Sequence, residues 1–542
     1  MFPRFIGAHS LIRIAGIVAW LGLTTAFASP SRWTPQDAAR HLLVVDPHGE
    51  PRYPLLKLDS AGTPRLKTLS KFTPDFSYQS HIEQIVHEIE KNNSNVLFFI
   101  HGGMNNVAGA VERGARIYKE YCDSQGTGPY HDLTKQGYPI FICWDSPFTG
   151  YAEQVAYVRA GKTEQYGRSI GHKLFAFATL PFHLLADFGR GILRFPEDWS
   201  EFAKNDLYII APNLFTEYNK MLEEIGCLRG ETTCEKLPAD VGMDVSPVQP
   251  VKKLTRYLSD TQTVLLFPIR NLTLPPIDTI GVGAWDNMLR HTETMFDRTD
   301  TEKRKRRTPS RTPVELALAT KGGTAQTVSQ RDTGAIAKFF AALSDRQSGR
   351  VNSVTLIGHS MGTIICNRII NSYPKLNYSN IVYMGAACSV RDFESSVLPY
   401  LYAHRKDCQP PNFYNLSLHP RCETGELALL MPTKSHSFSI DIAPRGSLPV
   451  WIDNIFAHPP SEGQRRYGIY QTAILNSHNI PRDIWCQVHL KCFTYGDAQK
   501  VSPELLENPQ HHSDFAKAPF WRPAFWQVNP PSKTKPCKVA AQ

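Results

Sequence analysis

A serine flanked by glycines stands in the segment "SVTLIGHSMGTII", residues 353–365, as Gly358-His359-Ser360-Met361-Gly362. A serine on a sharp turn between a strand and a helix can act as a nucleophile, because its oxygen is exposed there and the helix N-terminus points amide hydrogens at it. Only small flanking residues avoid clashes with the strand and the helix. The apolar residues before the motif and the helical pattern after it supply both elements. The segment therefore predicts a nucleophilic serine rather than an ordinary glycine-rich turn.

A serine that attacks a carbonyl group needs two N–H donors for the oxyanion that forms. The first is the backbone N–H of the next residue, Met361. The second comes from the loop after an early strand, and "FFIHGGMNN", residues 98–106, fits this role because glycine permits a close backbone approach to substrate. We expect the N–H of Gly103 to be the second donor, with Met104 as the alternative, and the side chain of His101 to be structural.

Several motifs of this chain resemble those of the α/β-hydrolase superfamily, in particular a group of bacterial hydrolases with HGG-x-N-N, F-x-x-W-D-S and GHSMG. They stand here at residues 101–106, 141–146 and 358–362. The resemblance extends to "GAWDNMLR", residues 283–290, and to "HSDFAKAPFWRPAFW", residues 512–526. It implies an α/β-hydrolase fold and a serine hydrolase that needs neither a metal nor an organic cofactor, and it leaves the substrate open.

A general base must accept the serine proton, and a histidine suits this role near neutral pH. The order implied by the superfamily is serine, acid, histidine, with the histidine in a loop after the last strand. His512 in "HSDF" follows the last predicted strand and is the expected base. The alternatives are His511 and His478, whereas His489 lies inside that strand.

The acid that orients the imidazole should follow the strand predicted at residues 413–418. Glu423 in "HPRCETGE" has this position and is the expected acid, and Glu426 is close to it. Asp392 is the alternative acid, because some hydrolases place the acid after the preceding strand. The sequence "SVRDF" also suits a helix N-cap at this aspartate. Asp407 is a more remote option.

The elements that position these residues alternate between helix and strand. The first predicted helix, residues 80–92, has apolar residues at helical spacing and begins with a capping box of Ser80 and Glu83. Further strands are predicted at 96–100, 138–146, 353–357, 380–386, 413–418 and 486–493, and further helices at 108–121, 334–346, 363–372 and 393–403. This alternation indicates an α/β fold with a mostly parallel sheet.

Residues 147–331 interrupt the alternation. We interpret residues 29–542 as one domain that carries this segment as a large cap-like or lid-like insertion, with a satellite subdomain as the alternative. The insertion contains an apolar stretch at residues 173–188, interrupted by Pro181, and a helix-like segment at 284–296. The apolar stretch fits either a lid over a lipid-like acyl group or a buried helix.

Residues 1–28 have the layout of a secretory signal peptide, because Arg4 and Arg13 precede an apolar run that ends in Ala26-Phe27-Ala28. The most apolar part is too short to span a membrane easily. We therefore expect cleavage and a periplasmic or extracellular location.

The formal net charge of +9 comes largely from the run "EKRKRRTPSR", residues 302–311. We interpret this run as a solvated loop, with contact to an anionic membrane surface as an alternative that the apolar stretch at 173–188 also permits. Nucleic acid is not an expected partner, because no recognised binding motif accompanies the charge.

The chain contains 11 cysteines, and export permits disulfides between them. Two pairs are possible: Cys227 and Cys234 flank a small loop, and Cys408 and Cys422 bracket a predicted strand. Zinc spacing is absent among the cysteines and histidines, and no metal site is expected. The cysteines in apolar segments, expected to be buried thiols, are Cys143, Cys366 and Cys388.

Together these residues predict an exported serine hydrolase that cleaves carboxylic esters through an acyl-enzyme on Ser360. One alternative is an acyltransferase, in which an alcohol replaces water as the acceptor. The other is a catalytically inactive binding protein on the same fold. The acyl group, the leaving group and the oligomeric state stay open.

Overall fold

The computed structural model of this chain describes residues 33–92, 95–124, 128–146, 170–210, 267–297, 334–345, 351–426, 443–493 and 505–527. Several sequence predictions fall outside these residues. They are the signal peptide, the Cys227–Cys234 pair, the basic run at 302–311 and most of the insertion at 147–331.

A nine-stranded mixed sheet forms the centre of the described structure, in the order β3-β2-β1-β5-β4-β6-β7-β8-β9. The strands are β1 Leu42–Val45, β2 Pro51–Leu58, β3 Pro64–Ser70, β4 Asn95–Ile100, β5 Tyr138–Trp144, β6 Ser353–His359, β7 Tyr378–Met384, β8 Asn412–Ser417 and β9 Val488–Cys492. The first three strands pair antiparallel, and all other neighbours are parallel. The predicted α/β class with a mostly parallel sheet is confirmed.

Helices flank this sheet. They are α1 Pro35–Arg40, α2 Tyr78–Lys91, α3 Val107–Asp123, α4 Ile170–Ile210, α5 Leu274–Thr294, α6 Ala335–Asp345, α7 Gly362–Ser372, α8 Val390–Ser395, α9 Val397–Ala403, α10 Pro420–Gly425, α11 Leu448–Trp451, α12 Tyr470–Leu475 and α13 Pro523–Trp526. Shorter turns are a π-helical turn at Ile452–Phe456 and 3₁₀ turns at Leu133–Gln136, Glu462–Gln464, Asn476–Asn479, Arg482–Gln487 and His512–Lys517.

The central strands are buried on both faces, which explains their continuous apolar sequences. In β4, Val96, Phe98 and Ile100 belong to one apolar core, while Leu97 and Phe99 belong to a second core. Successive side chains of a strand point to opposite faces, so the two cores lie on the two sides of the sheet. Apolar residues of α2 join the first core and those of α3 the second.

Two predicted helices differ from the observed ones at their boundaries. The capping box of Ser80 and Glu83 is wrong, because α2 begins one turn earlier and the hydroxyl of Ser77 accepts the N–H of Ser80 at 3.1 Å. The single helix predicted at 393–403 is divided into α8 and α9 at Ser396. Pro399 explains the break, because proline has no N–H and its ring clashes with the carbonyl four residues earlier.

Within the insertion, the described part consists of α4 and α5 with the short segment before α5. The helix-like segment predicted at 284–296 covers the second half of α5 and extends two residues beyond its end. The apolar stretch at 173–188 falls in α4, which continues through Pro181. Phe182 and Leu185 on α4 are 75% and 71% exposed. No helix in the described part of the chain has both the length and the apolar character for a membrane span.

The cysteine predictions have a mixed outcome. Buried free thiols are confirmed at Cys143, Cys366 and Cys388. The Cys408–Cys422 pair is wrong: Cys422 is a buried free thiol, whereas Cys408 and Cys486 are each disulfide-bonded. Cys408 and Cys422 lie before and after β8, and a six-residue strand separates its ends by roughly 20 Å, far beyond disulfide reach.

Candidate active site

Ser360 occupies the turn between β6 and α7 with a φ of +51°. Its N–H donates to the carbonyl of Met384 at 2.9 Å. Its carbonyl accepts from the N–H of Thr363 at 3.1 Å, from the hydroxyl of Thr363 at 2.7 Å and from the N–H of Ala387 at 3.2 Å. A non-glycine residue in this conformation costs of order 1–3 kcal/mol and persists only where the surroundings enforce it. These four hydrogen bonds hold the serine backbone in its strained conformation.

The two flanking glycines of the motif are required by close approaches of the backbone. A Cβ atom on Gly362 would lie 2.3 Å from the carbonyl oxygen of Ile100, at the end of β4. A Cβ atom on Gly358 would lie 2.8 Å from the sulfur of Cys366 and 3.0 Å from the backbone of Gly362. The glycines therefore let strand, turn and helix pack directly on one another.

Gly362→Ala is expected to lower the free energy of unfolding by about 3 kcal/mol, because the added methyl group meets backbone that cannot move aside. Chemical denaturation of the two proteins measures the difference. Gly189→Ala is the matched control: a Cβ atom there meets nothing within 4 Å, and alanine stabilises a helix interior by up to about 1 kcal/mol. Equal stability of the Gly362 variant and the wild type would contradict the close packing of Gly362 on Ile100.

The loop after β4 lies directly against the serine turn. A Cβ atom on Gly102 would be 2.7 Å from the Cβ of Ser360, and one on Gly103 would be 2.6 Å from the sulfur of Met361. Within the described chain, the N–H groups of Gly103 and Met361 donate no hydrogen bond. The two amides that the sequence predicts as oxyanion donors thus lie on adjacent segments with their hydrogens unused. Met104, the alternative donor, has a φ of +61° and a half-exposed side chain.

The W-D-S motif at the end of β5 holds this loop in place. The N–H and the hydroxyl of Ser146 both donate to the carbonyl of Asn105, at 2.9 and 3.2 Å. The carboxylate of Asp145 accepts the N–H of Val107 at 3.0 Å, at the start of α3. The motif is therefore a support for the loop.

His101 is fully hydrogen-bonded. Its Nδ1–H donates to the carbonyl of Gly102 at 2.7 Å, and its Nε2 accepts the N–H of Trp144 at 3.1 Å. Burial lowers its pKa to about 4, so the ring is neutral at physiological pH. These contacts agree with the structural role expected for His101.

His512 lies beside the serine turn. It begins the 3₁₀ turn after β9, and its ring packs on Gly385, where a Cβ atom would be 2.9 Å from both Cε1 and Nδ1. Gly385 follows Met384, whose carbonyl accepts the N–H of Ser360. Burial lowers the pKa of His512 to about 4, so the imidazole is neutral at physiological pH, which is the form a general base needs before the reaction.

His359 is a further neighbour of this site, and the sequence did not identify it as functional. Its Nε2–H donates to the carbonyl of His512 at 3.2 Å, and the two ring centroids are 5.1 Å apart. Burial and the neighbouring His512 hold its pKa well below the usual value. Its position inside GHSMG was the only signal in the sequence.

Two glutamates after β8 lie on the side of the site where the acid is expected. One carboxylate oxygen of Glu426 accepts the backbone N–H of His512 at 2.8 Å, and burial raises the pKa of Glu426 to about 7. Glu423 is fully buried in α10, with one oxygen bonded to the hydroxyl of Ser447. Burial raises the pKa of Glu423 to about 8.

The other candidate residues have local partners. Asp392 accepts the N–H of Ser389 at 2.8 Å in the capping box of α8, and His511 caps the turn that His512 begins. Asp407 pairs with the exposed His404 at 2.8 Å. His489 stacks on a tyrosine of β8, and the side chain of His478 lies outside the described part.

Unsatisfied polar atoms concentrate at this site. Among the described residues, no hydrogen-bond partner is present for the hydroxyl of Ser360, either ring nitrogen of His512, Nδ1 of His359 or Oε1 of Glu423, and all of these atoms are buried. Buried polar atoms are rarely left unpaired, because each costs about 1–3 kcal/mol. A substrate group or water that enters the site would provide the missing partners.

Comparison with known proteins finds no relative: no family model, no curated protein and no solved structure matches the chain.

Proposed function

We propose that this chain is an exported serine hydrolase with an α/β-hydrolase fold that cleaves carboxylic esters. The observation that carries the proposal is the buried, unpartnered hydroxyl of Ser360 on a strained strand-to-helix turn, beside a neutral imidazole and two unused amides. Export rests on residues 1–28 of the sequence alone.

The arrangement of the sheet supports this proposal. Ser360 follows β6, Glu423 and Glu426 follow β8, and His512 follows β9, all at the carboxyl ends of parallel strands. Ligands of open α/β sheets bind outside these ends of the strands. The chain order of serine, acid and histidine is also the order of the proposed superfamily.

The proposed reaction has two halves. In the first, the hydroxyl of Ser360 adds to the ester carbonyl while His512 accepts its proton, and the N–H groups of Gly103 and Met361 stabilise the oxyanion. The C–O bond to the alcohol then breaks, and His512 returns the proton to the leaving oxygen. In the second half, His512 deprotonates water, which attacks the acyl-enzyme and releases the acid.

We propose Glu426 as the acid in place of Glu423, which the sequence favoured. The carboxylate of Glu426 accepts the backbone N–H of His512, whereas the carboxylate of Glu423 accepts the hydroxyl of Ser447. An ionised carboxylate held on the backbone of His512 would stabilise, by its charge, the imidazolium that forms in each half of the reaction. With a pKa of about 7 against about 8, Glu426 also ionises at a lower pH than Glu423.

Fluorophosphonate labelling tests the proposal, because these probes react with activated serines. The wild type is expected to be labelled at Ser360, the Ser360→Ala variant to be unlabelled, and the His512→Gln variant to be labelled at least 100-fold more slowly. Ser389→Ala is the control, since this serine caps α8 and should leave labelling unchanged.

Absence of labelling in the folded wild type, with or without detergent, would contradict the enzyme proposal and favour a binding protein. Product analysis of a labelled enzyme with an ester and an added alcohol then separates hydrolysis from acyl transfer. Formation of a new ester as the main product would overturn the hydrolase assignment in favour of the acyltransferase.

A further inference from the structure

A second cluster of ionisable side chains lies where α4, α5 and the segment after the π-helical turn meet. Asp198 is on α4, Asp278 on α5, and His458 follows the turn Ile452–Phe456. One ligand atom of each residue lies within 4.8 Å of those of the other two. Both aspartates are fully buried, and the side chain of His458 is 12% exposed.

Close packing of the three elements brings these side chains together. A Cβ atom on Gly191 of α4 would lie 2.8 Å from the carbonyl of Pro275 at the start of α5. A Cβ atom on Gly281 of α5 would lie 2.0 Å from the ring of Phe456. His458 itself has a φ of +44°, a strained conformation for a histidine. Two glycines and a strained backbone thus place the three side chains at one point.

The atoms that face one another in this cluster have no hydrogen-bond partner among the described residues. They are both carboxylate oxygens of Asp198, Oδ1 of Asp278 and Nε2 of His458. The other oxygen of Asp278 pairs with Arg190 at 3.4 Å, and Arg194 lies 4.0 Å from Oδ1. Asp198 therefore brings a buried carboxylate with two unsatisfied oxygens to a site that His458 and Arg194 compensate in part, and a bound cation would supply the missing ligand for these oxygens.

Direct pairing of the histidine with the aspartates is a poor match to the distances. Nε2 of His458 is 3.7 Å from a carboxylate oxygen of Asp198 and 3.6 Å from one of Asp278. By comparison, Asp206 of α4 and Arg270, which precedes α5, form an ion pair at 2.8 Å. A zinc ion binds nitrogen and oxygen ligands at about 2.0–2.2 Å, so two ligands at a tetrahedral angle are about 3.4 Å apart. The two separations from His458 are close to that spacing and too long for hydrogen bonds, and the oxygens of the two aspartates lie within 4.8 Å of one another.

We propose that Asp198, Asp278 and His458 bind a divalent metal ion of the zinc type, with water as the fourth ligand. One imidazole and two carboxylates suit zinc better than calcium, which takes oxygen ligands in larger number. The ion joins α4 of the insertion to α5 and to the segment at His458.

The role of this ion is structural. On α5, Asp278 and Met288 are ten residues apart, about 15 Å along the helix. Met288 contacts the loop of Gly103, where a Cβ atom would lie 3.3 Å from its sulfur. The metal therefore lies at the far end of the helix that touches the oxyanion loop, and it takes no part in the ester reaction.

The test uses the mature chain, stripped with a chelator, desalted and then supplied with ZnCl₂. Metal content after gel filtration is expected to be about one zinc per wild-type chain, with a higher unfolding temperature than that of the stripped protein. Asp198→Asn and His458→Gln are each expected to bind zinc at least tenfold more weakly and to lose the temperature shift. Glu201→Gln, three residues from Asp198 on the same helix and paired with Lys204, is the matched control and should behave as the wild type.

The stripped proteins separate a metal site from a network of ion pairs. If the site is built for a metal, stripped Asp198→Asn unfolds at the same temperature as the stripped wild type or higher, because a buried charge becomes a neutral amide. A lower unfolding temperature of that variant, together with no effect of zinc on the wild type, would overturn the proposal in favour of ion pairs with protonated His458. Zinc binding that both variants retain would also overturn it, as would stabilisation by CaCl₂ alone. None of these readouts depends on esterase activity.

Discussion

Ser360→Ala and His512→Gln are each expected to lower kcat for a soluble short-chain ester on the order of 10⁴-fold, and the double variant is expected to be no slower than either. The serine hydroxyl is a weak nucleophile without a base, and the imidazole has no proton to accept without the hydroxyl. The two side chains therefore act as a unit, and removal of the second one costs nothing further. The residual rate would come from the oxyanion donors and from substrate binding.

Steady-state kinetics of the three variants measures this, with thermal unfolding as a check that each protein is folded. His511→Asn is the matched control for the histidine, because it is the neighbouring residue, it is exposed, and asparagine also caps helices. It should keep kcat within a few-fold of the wild type. A double variant that is much slower than both single variants would show that Ser360 and His512 act independently, against the proposed mechanism.

Glu426→Gln is expected to lower kcat/KM about 10²- to 10³-fold at pH 8, whereas Glu423→Gln should change it less than tenfold. The carboxylate of Glu426 accepts the backbone N–H of His512, and a neutral amide held at that position has no charge with which to stabilise the nearby imidazolium. Glu423, with a pKa raised to about 8, is about half protonated at pH 8, and its carboxylate is bonded to Ser447, so glutamine is expected to change the reaction less there.

The pH profile identifies the acid independently. The pKa of Glu426 is raised to about 7, first by burial and then by the charge of Asp514, against the hydrogen bond from His512. The active form needs this group ionised, so kcat/KM of the wild type is expected to rise as the pH increases through about 7. His512, with a pKa of about 4, is already neutral over that range. In Glu426→Gln the rise should disappear.

Two results would reassign the acid. A rise centred near pH 8 that is lost in Glu423→Gln would favour Glu423, the residue that the sequence indicated first. A large loss of kcat in Asp392→Asn with unchanged stability would favour Asp392. The structure instead predicts that this variant loses about 1 kcal/mol of stability and little activity, because the carboxylate caps α8.

Local patterns in the sequence predicted many of the strands and turns of the fold. The apolar runs of β4 and β5 predicted buried strands, since a strand covered by helices on each side has no polar face. The segments around Ser360 and Gly103 predicted a strand followed by a turn. In both segments, glycines indicate that two stretches of backbone approach closely, and this signal can be seen within a few residues of sequence.

The N-terminal strands were not predicted. The segment 42–70 forms β1, β2 and β3, of which the last two are largely exposed and contain prolines and charged residues. The sequences of β2 and β3 lack the apolar runs that identify the central strands. β1 is a buried apolar run of only four residues, and its pairing with β5 joins residues about 100 positions apart. Strand pairing of this kind depends on the assembled sheet.

The sequence alone determined which residue types stand on sharp turns at the ends of strands, because turn geometry and strand burial depend on neighbours within about ten residues. The tertiary structure decided which distant groups meet. It placed Glu426 rather than Asp392 against the backbone of His512, and it left Cys422 as a free thiol. It also brought together Asp198, Asp278 and His458, which are 80 and 180 residues apart along the chain. The physical reason is that burial, pKa and partner are properties of the packed core, and the spacing of residues along the chain does not encode them.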